Sequence, residues 1–253
     1  MVEDLNEKIK TLEEENEKLK RLNDAKSEMI SMSAHQVRTS LSAFKWMLKM
    51  FLDGDLGELS HEQQGFIQKS FDSNERMIGL VSDMLYANKD EDASIPYHFE
   101  NTQIEDLIDN ILFEFIGEAT RKGIEVIFLK SGSKLPTIST DQIKIRIVIQ
   151  NLLENAIKYS NNHGKIFISA HEEDNGVEIS IKNTGIGIPE KEKGLIFTKF
   201  FRAGNARQKE TFGSGLGLYT AKNIVEKHKG KIWFESEENE GATFHIFLPL
   251  STD

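Results

Sequence analysis

A chain of 253 residues is long enough for about two domains, and a hydrophobic content of 38% beside 28% charged residues suits modest cores under much solvated surface. A formal net charge of −10, with no block of five lysines and arginines, argues against nucleic acid or an anionic membrane as the main partner, so no membrane contact is expected of this segment itself. The absence of Cys removes disulfides and thiolate metal sites and fits a reducing, cytoplasmic setting. Without an apolar run of eighteen residues or a signal-like N-terminus the chain reads as soluble, with room for a membrane-bound sensor segment upstream.

Residues 1–26 are almost all Glu, Lys, Asn and Leu. Val2, Ile9 and Asn16 fall at the a positions of a heptad and Leu5, Leu12 and Leu19 at d, which predicts a parallel two-stranded coiled coil, since one Asn at a can bond its own copy across the seam. Leu22 follows Leu19 by three instead of four and shifts the frame. Residues 27–54 continue as helix, with Val37, Leu41, Phe44 and Leu48 on one stripe. Asp53-Gly54-Asp55-Leu56-Gly57 ends it, and Ser60 with Gln63 is a capping-box start for a second helix through Phe66, Phe71, Ile78, Val81 and Leu85. Paired in line with the coiled coil, two such hairpins make a four-helix bundle.

Lys89–Pro96 reads as an interdomain linker, and from Phe99 the pattern becomes α+β. Thr102 and Glu105 are expected to cap a helix ending at Gly123. A strand at Ile124–Leu129, a helix at Asp141–Tyr159 and a hairpin of Lys165–His171 and Val177–Lys182 turning at Asp174-Asn175-Gly176 follow. A helix at Leu216–Lys229 closed by Gly230 and strands at Lys231–Glu237 and Thr243–Leu248 complete the chain.

Chemistry concentrates in a few places. His35 and Thr39, four apart, share a helical face beside Gln36; alone, such a His is most often a plain surface residue. Asn151, Asn155 and Lys158 form one stripe, where a carboxamide oxygen suits Mg²⁺ and the Lys a phosphate, and Tyr159 offers a ring at the helix end. Gly185 and Gly187 follow a strand and permit close backbone approach to a ligand. Gly213-Ser214-Gly215-Leu216-Gly217-Leu218 opens a helix and makes an anion site of free N–H groups, but it lacks the Lys-Ser/Thr of a P-loop and follows no strand, unlike a dinucleotide fingerprint. Between the glycine segments, Phe197-Thr198-Lys199-Phe200-Phe201-Arg202 anchors a polar stretch, Ala203–Thr211, with the look of a mobile lid.

In order and spacing these segments resemble the boxes of sensor histidine kinases: the H box around His35, the N box at 151–160, the glycine boxes at 183–189 and 213–218, and the F box at 197–202. The resemblance implies a coiled-coil helix (1–27), a dimerisation and phosphotransfer hairpin (28–90), and an ATP-binding α+β two-layer sandwich of the Bergerat type (97–250). It implies ATP held with Asn155 on Mg²⁺, Lys158 and Arg202 near phosphates, Tyr159 and Asn183 near the base, and 213–218 around the phosphates. It implies a homodimer that phosphorylates His35 and serves the receiver domain of a response regulator. Three residues depart from the family pattern: Gln36 where Glu or Asp is usual, Ser40 where Pro is usual, and Asn183 where Asp is usual. They motivate the alternative of a nucleotide-sensing pseudokinase or dimeric scaffold. A gyrase-type ATPase is disfavoured, because its water-activating Glu would fall at Asn151, which cannot act as a base.

Overall fold

The computed structural model describes residues 2–89, 96–132, 134–211 and 213–251. Two compact units, Met1–Asp92 and Ala93–Asp253, are each treated by themselves. Most of the expected linker lies outside the described residues, as do the side chains of the seam positions Val2 and Leu5.

The first unit is a helical hairpin. Helix α1 (Val2–Leu52) carries the heptad segment and the His35 segment in one unbroken rod. Ser40, standing where a proline would break the ladder, instead donates from its hydroxyl to the Gln36 carbonyl at 3.1 Å. The turn after α1 places Gly54 and Gly57 at positive φ (83° and 106°). Helix α2 (His61–Lys89) opens with the expected capping box: Ser60 N–H donates to Gln63 Oε1 at 2.9 Å, and Gln63 N–H to Ser60 Oγ at 3.3 Å.

Ala34, Leu48 and Leu85 are buried between the helices. Asn74, also fully buried, donates to the Leu41 carbonyl at 2.9 Å, and Lys45 pairs with Glu75 at 2.9 Å. Such polar ties fix the register of two helices that bury little apolar surface against each other. The seam residues Leu12 and Leu19 are 59% and 67% exposed.

The second unit is a two-layer sandwich. Its sheet has the order β2-β4-β5-β7-β6, built from β2 (Glu125–Leu129), β4 (Lys165–Glu173), β5 (Gly176–Thr184), β6 (Lys231–Glu237) and β7 (Gly241–Pro249). Only the β2–β4 pair is parallel. Alternate residues such as Ile166, Ile168, Val177, Ile179, Ile181, Ile246 and Leu248 face one core, which they share with α3 (Ile104–Arg121), α4 (Gln142–Tyr159) and α6 (Gly217–Lys227). The β4–β5 turn holds Asp174 and Asn175 at positive φ, the conformation that suits the right-handed twist of a tight hairpin.

Two expectations need correction, and a third segment gains structure. Thr102 does not cap α3: it ends a short strand, β1 (Glu100–Thr102), paired antiparallel with β3 (Ile138–Thr140), and the N-cap position falls to Gln103 with no side-chain cap bond. Gly230 does not supply the left-handed turn after α6; Lys229 does (φ 56°), and glycine is needed at 230 because a Cβ would meet the Phe247 carbonyl oxygen at 2.3 Å. The polar stretch after the F box, expected as a mobile lid, contains a short helix, α5 (Gly204–Lys209).

A buried knot ties the start of this unit to α4 and to the end of α6. Asp141 caps α4 by accepting from Lys144 N–H at 3.1 Å, and its other oxygen accepts from His98 N–H at 3.1 Å. The Asp141 N–H donates to His228 Nε2 at 3.0 Å, while His228 Nδ1 lies 2.7 Å from the Ile224 carbonyl oxygen. His228 is fully buried, so one tautomer satisfies both ring nitrogens.

Candidate functional site

In the second unit, the end of α4 meets the end of β5. Ser160 bridges Gly185, and the Tyr159 carbonyl accepts from Ile186 N–H at 3.2 Å. A Cβ on Gly185 would lie 2.1 Å from the Tyr159 carbonyl oxygen, and one on Gly187 (φ 61°) 1.9 Å from that of Glu237. The two glycines are therefore required by close backbone packing in this protein, which sets the N box and first glycine box edge to edge. Asn183, 6% exposed, points its Nδ2 at Ser160 Oγ (3.5 Å), and that hydroxyl donates to the Ala156 carbonyl at 2.6 Å.

The second glycine box is built on the F box. Phe200 takes a left-handed φ of 62°, a conformation costing a bulky residue about 1–2 kcal/mol. Its backbone runs beneath Gly215 (φ 68°), where a Cβ would approach the Phe200 carbonyl carbon to 2.7 Å. Phe197 anchors the segment against Phe234, ring to ring at 5.9 Å. Ser214 Oγ accepts from Leu216 N–H at 3.2 Å, and α6 then begins at Gly217 with no side-chain cap bond from Leu216. Leu216 is buried, while Leu218 is half-buried against the core. Gly217 lets Asn151 in: a Cβ there would sit 2.9 Å from Asn151 Oδ1.

Asn151 thus faces the start of α6, Asn155 lies one turn further along the same stripe of α4, both are half-buried, and Lys158 pairs with Glu154 at 3.0 Å. Lys199 places its ammonium over the Tyr219 ring at 4.8 Å. Arg202 binds the lid stretch: its guanidinium donates to the carbonyls of Thr211 (3.1 Å), Ala206 (3.3 Å) and Glu210, and packs beside Gly213. Its observed role is therefore to fold residues 206–211.

Two lid contacts escaped the sequence reading. Lys209 donates to the Ser160 carbonyl at 2.7 Å, and Asn205 Nδ2 to the Gly187 carbonyl at 3.0 Å. Both lie in a polar stretch with no periodic signal, so only the fold reveals them. Partial burial of the Lys209 ammonium, with Lys122 adding like charge, holds its pKa below the ordinary lysine value.

In the first unit His35 is exposed on α1 with Gln36 and Thr39 beside it. Thr39 Oγ1 donates to the His35 carbonyl at 3.0 Å, so its hydroxyl proton is engaged along the helix while its lone pairs still face outward.

The order of these parts along the chain agrees with known families. The His Kinase A (phospho-acceptor) domain matches residues 25–93, and the histidine kinase-, DNA gyrase B- and HSP90-like ATPase domain matches residues 140–252. Sensor histidine kinase WalK of Bacillus subtilis is 32% identical over 92% of this chain, which spans 38% of that protein. The catalytic domain of histidine kinase ThkA is 32% identical, with a TM-score of 0.55 over 61% of this chain and 97% of that one. ThkA in complex with the response regulator TrrA aligns at 25% identity and TM-score 0.60, over 89% of this chain and 62% of that one. Full-length ShkA in complex with AMPPNP aligns at 26% identity and TM-score 0.74, over 89% of this chain and 46% of that one. Among the described residues, no helix is long and apolar enough to cross a membrane. A hairpin with an exposed His35, followed by an α/β sandwich carrying the N, F and glycine boxes in order and matched by both domain families, places this chain in the sensor histidine kinase family.

Proposed function

We propose that the chain is an ATP-dependent protein histidine kinase. A neutral ring nitrogen of His35 attacks the γ-phosphorus of ATP, the N–P bond forms as the bond to the ADP oxygen breaks, and the phosphoryl then passes to an Asp of a receiver domain. The observation that carries this reading is the pairing, in one chain, of a solvent-exposed His35 on an otherwise regular helix with an uncapped, glycine-led helix start facing Asn151. Residues 1–27 serve as the signalling helix, 28–90 as the dimerising and phosphoacceptor part, and 97–250 as the nucleotide-binding part. The protein works in the cytoplasm, and the exposed seam and hairpin faces support a homodimer.

In the site, Asn183 and Tyr159 hold the base, with Gly185 and Gly187 shaping the wall that it rests on. The backbone from Gly213 to Leu218 lies around the phosphates, and Lys158, Lys199 and Arg202 bring positive charge to that side. The donor set fits Mg²⁺, since Asn155 offers a half-buried, hard carbonyl oxygen beside Asn151, and Mg²⁺ needs few protein ligands when phosphates and water complete its shell. Bound there, the ion would offset phosphate charge. Gln36 orients the His35 ring through its carbonyl, and Thr39 uses its outward lone pairs to position a water that dephosphorylates the receiver domain.

The test is incubation with γ-labelled ATP. Label that is lost in acid, kept in base and absent from His35→Gln is expected. A chain that binds ATP without becoming labelled would favour the pseudokinase reading, and acid-stable label would refute phosphohistidine.

A further inference from the structure

The sheet face turned away from the helices carries a cluster that the kinase reading does not use. His171 on β4 and Glu178 on β5 are cross-strand partners. Glu173, two residues beyond His171, projects to the same face. One donor atom from each of the three lies within 4.8 Å of the other two. His171 Nε2 is already 3.3 Å from Glu173 Oε2, close to the ligand–ligand edge of about 3.3 Å that a tetrahedral ion with bonds of ~2.0–2.1 Å imposes. Two carboxylates brought this near one another repel unless a cation or proton lies between them.

The site is also supported from behind. Glu178 Oε1 lies 2.8 Å from His245 Nδ1 on β7, a pair whose side chains are only 12% and 16% exposed. The His245 ring in turn stacks on Trp233 of β6, with centroids 5.1 Å apart and planes 4° from parallel. A ligating carboxylate fixed by a donor that is itself locked by packing is the usual support of a metal centre. His171 and Glu173 remain about half exposed, so they can close on an ion by changing rotamer.

We propose that His171, Glu173 and Glu178 form a binding site for a borderline divalent cation of the Zn²⁺ type, held in place by His245 and Trp233. One imidazole and two carboxylates favour such an ion over Mg²⁺, and water completes the shell. The site is separate from the nucleotide residues: Asn183 lies five positions further along β5 from Glu178, about 17 Å at strand rise.

The experiment is calorimetric titration of the full chain, free of nucleotide and Mg²⁺, with ZnCl₂, and in parallel with MgCl₂. In a Trp46→Phe background, Trp233 is the one remaining tryptophan, and its quenching by Co²⁺ gives a local readout. The expected result is one Zn²⁺ site with no Mg²⁺ response, Co²⁺ quenching of Trp233, and affinity at least about tenfold weaker in His171→Ala and Glu178→Gln. His245→Phe, which keeps a ring on Trp233 but deletes the bond to Glu178, should weaken binding by roughly 10-fold or more. No Zn²⁺ binding up to about 1 mM, which is weaker than any specific site of this kind, would overturn the proposal. So would binding that His171→Ala leaves unchanged, since the ion would then be held elsewhere.

Discussion

In the unit Ala93–Asp253, alternate residues of five strands and one stripe from each of three helices meet in a single core. In the unit Met1–Asp92, the buried apolar residues among those described are Ala34, Leu48 and Leu85, while Met29, Met32, Trp46 and Phe66 stand 60% or more exposed. One fold closes on itself, and the other presents apolar surface that its own two helices do not cover. The second unit covers its own apolar faces, and the first leaves some of its apolar faces open, which accords with the homodimer proposed above. The buried Asn74 fits this contrast: it gives the hairpin a fixed register where packing supplies little.

The contrast is broken most directly by truncating one residue in each unit. Ile108→Ala empties a fully buried position and should destabilise the second unit by about 2–5 kcal/mol, with a melting temperature independent of protein concentration. Leu12→Ala removes an exposed side chain and should cost a lone chain less than about 0.5 kcal/mol. If the seam pairs, the same change should lower helix melting in a way that grows on dilution. Calorimetry over a range of concentrations measures both; a Leu12→Ala effect that ignores concentration counts against the dimer.

The second unit should also respond to acid. Burial, only partly offset by the Ile224 carbonyl and Asp141, holds the His228 pKa below its ordinary 6.5. Above that value the imidazole is neutral in folded and unfolded chains alike, and its full contribution to stability is present. As pH falls, the unfolded chain takes up a proton that the folded one refuses, and the contribution is lost down through the lowered folded pKa. Unfolding of the second unit in urea at pH 7.5 and pH 5.0 should show this loss, and His228→Phe should shrink it. An unchanged pH slope in that variant would remove His228 as the cause.

Smaller effects sharpen the functional side of the comparison. Gln36 is exposed on α1, so Gln36→Glu should leave the fold intact while giving the His35 ring a carboxylate acceptor. Initial labelling at saturating Mg-ATP should then rise roughly tenfold or more, the low end of general-base assistance. No acceleration would make Gln36 an orienting residue alone. In the closed unit, Asn183→Asp should tighten ATP by roughly 1 kcal/mol in calorimetry, as a neutral acceptor becomes a charged one. The same change should lower the melting temperature without nucleotide, because Ser160 would have to turn from the Ala156 carbonyl to satisfy a buried carboxylate.

Legibility in the sequence followed the range of the forces involved. The capping box at Ser60 and Gln63 and the Asp174-Asn175 turn are local, and they form as the residue pattern implies. β1 and β3 went unread because each is three residues long and exists only through pairing with the other, and that pairing is what takes Thr102 away from its expected cap. Helix α5 has no apolar period of its own; Arg202 donates to its Ala206 carbonyl and to that of Thr211 just beyond it, and Asn205 and Lys209 tie it to the Gly187 and Ser160 carbonyls. Of the candidate site, the residue types and their order were readable. The packing of Gly217 on Asn151 and of Gly215 on Phe200 was not, since residues 60 or more positions apart in one case and joined through a left-handed aromatic in the other meet only in three dimensions.

The Asp141 knot gives this unit a mechanical character. His98, two residues past Pro96, is fastened to the same carboxylate that starts α4. Helix α4 is a rod of eighteen residues, about 27 Å long, and Asn155 and Tyr159 ride at its far end. Any pull or twist arriving along the chain before residue 98 is therefore applied at the root of that rod, while α6 is braced through His228 at the same point. Within this unit the backbone at residue 98, the start of α4 and the end of α6 are thus held at one joint.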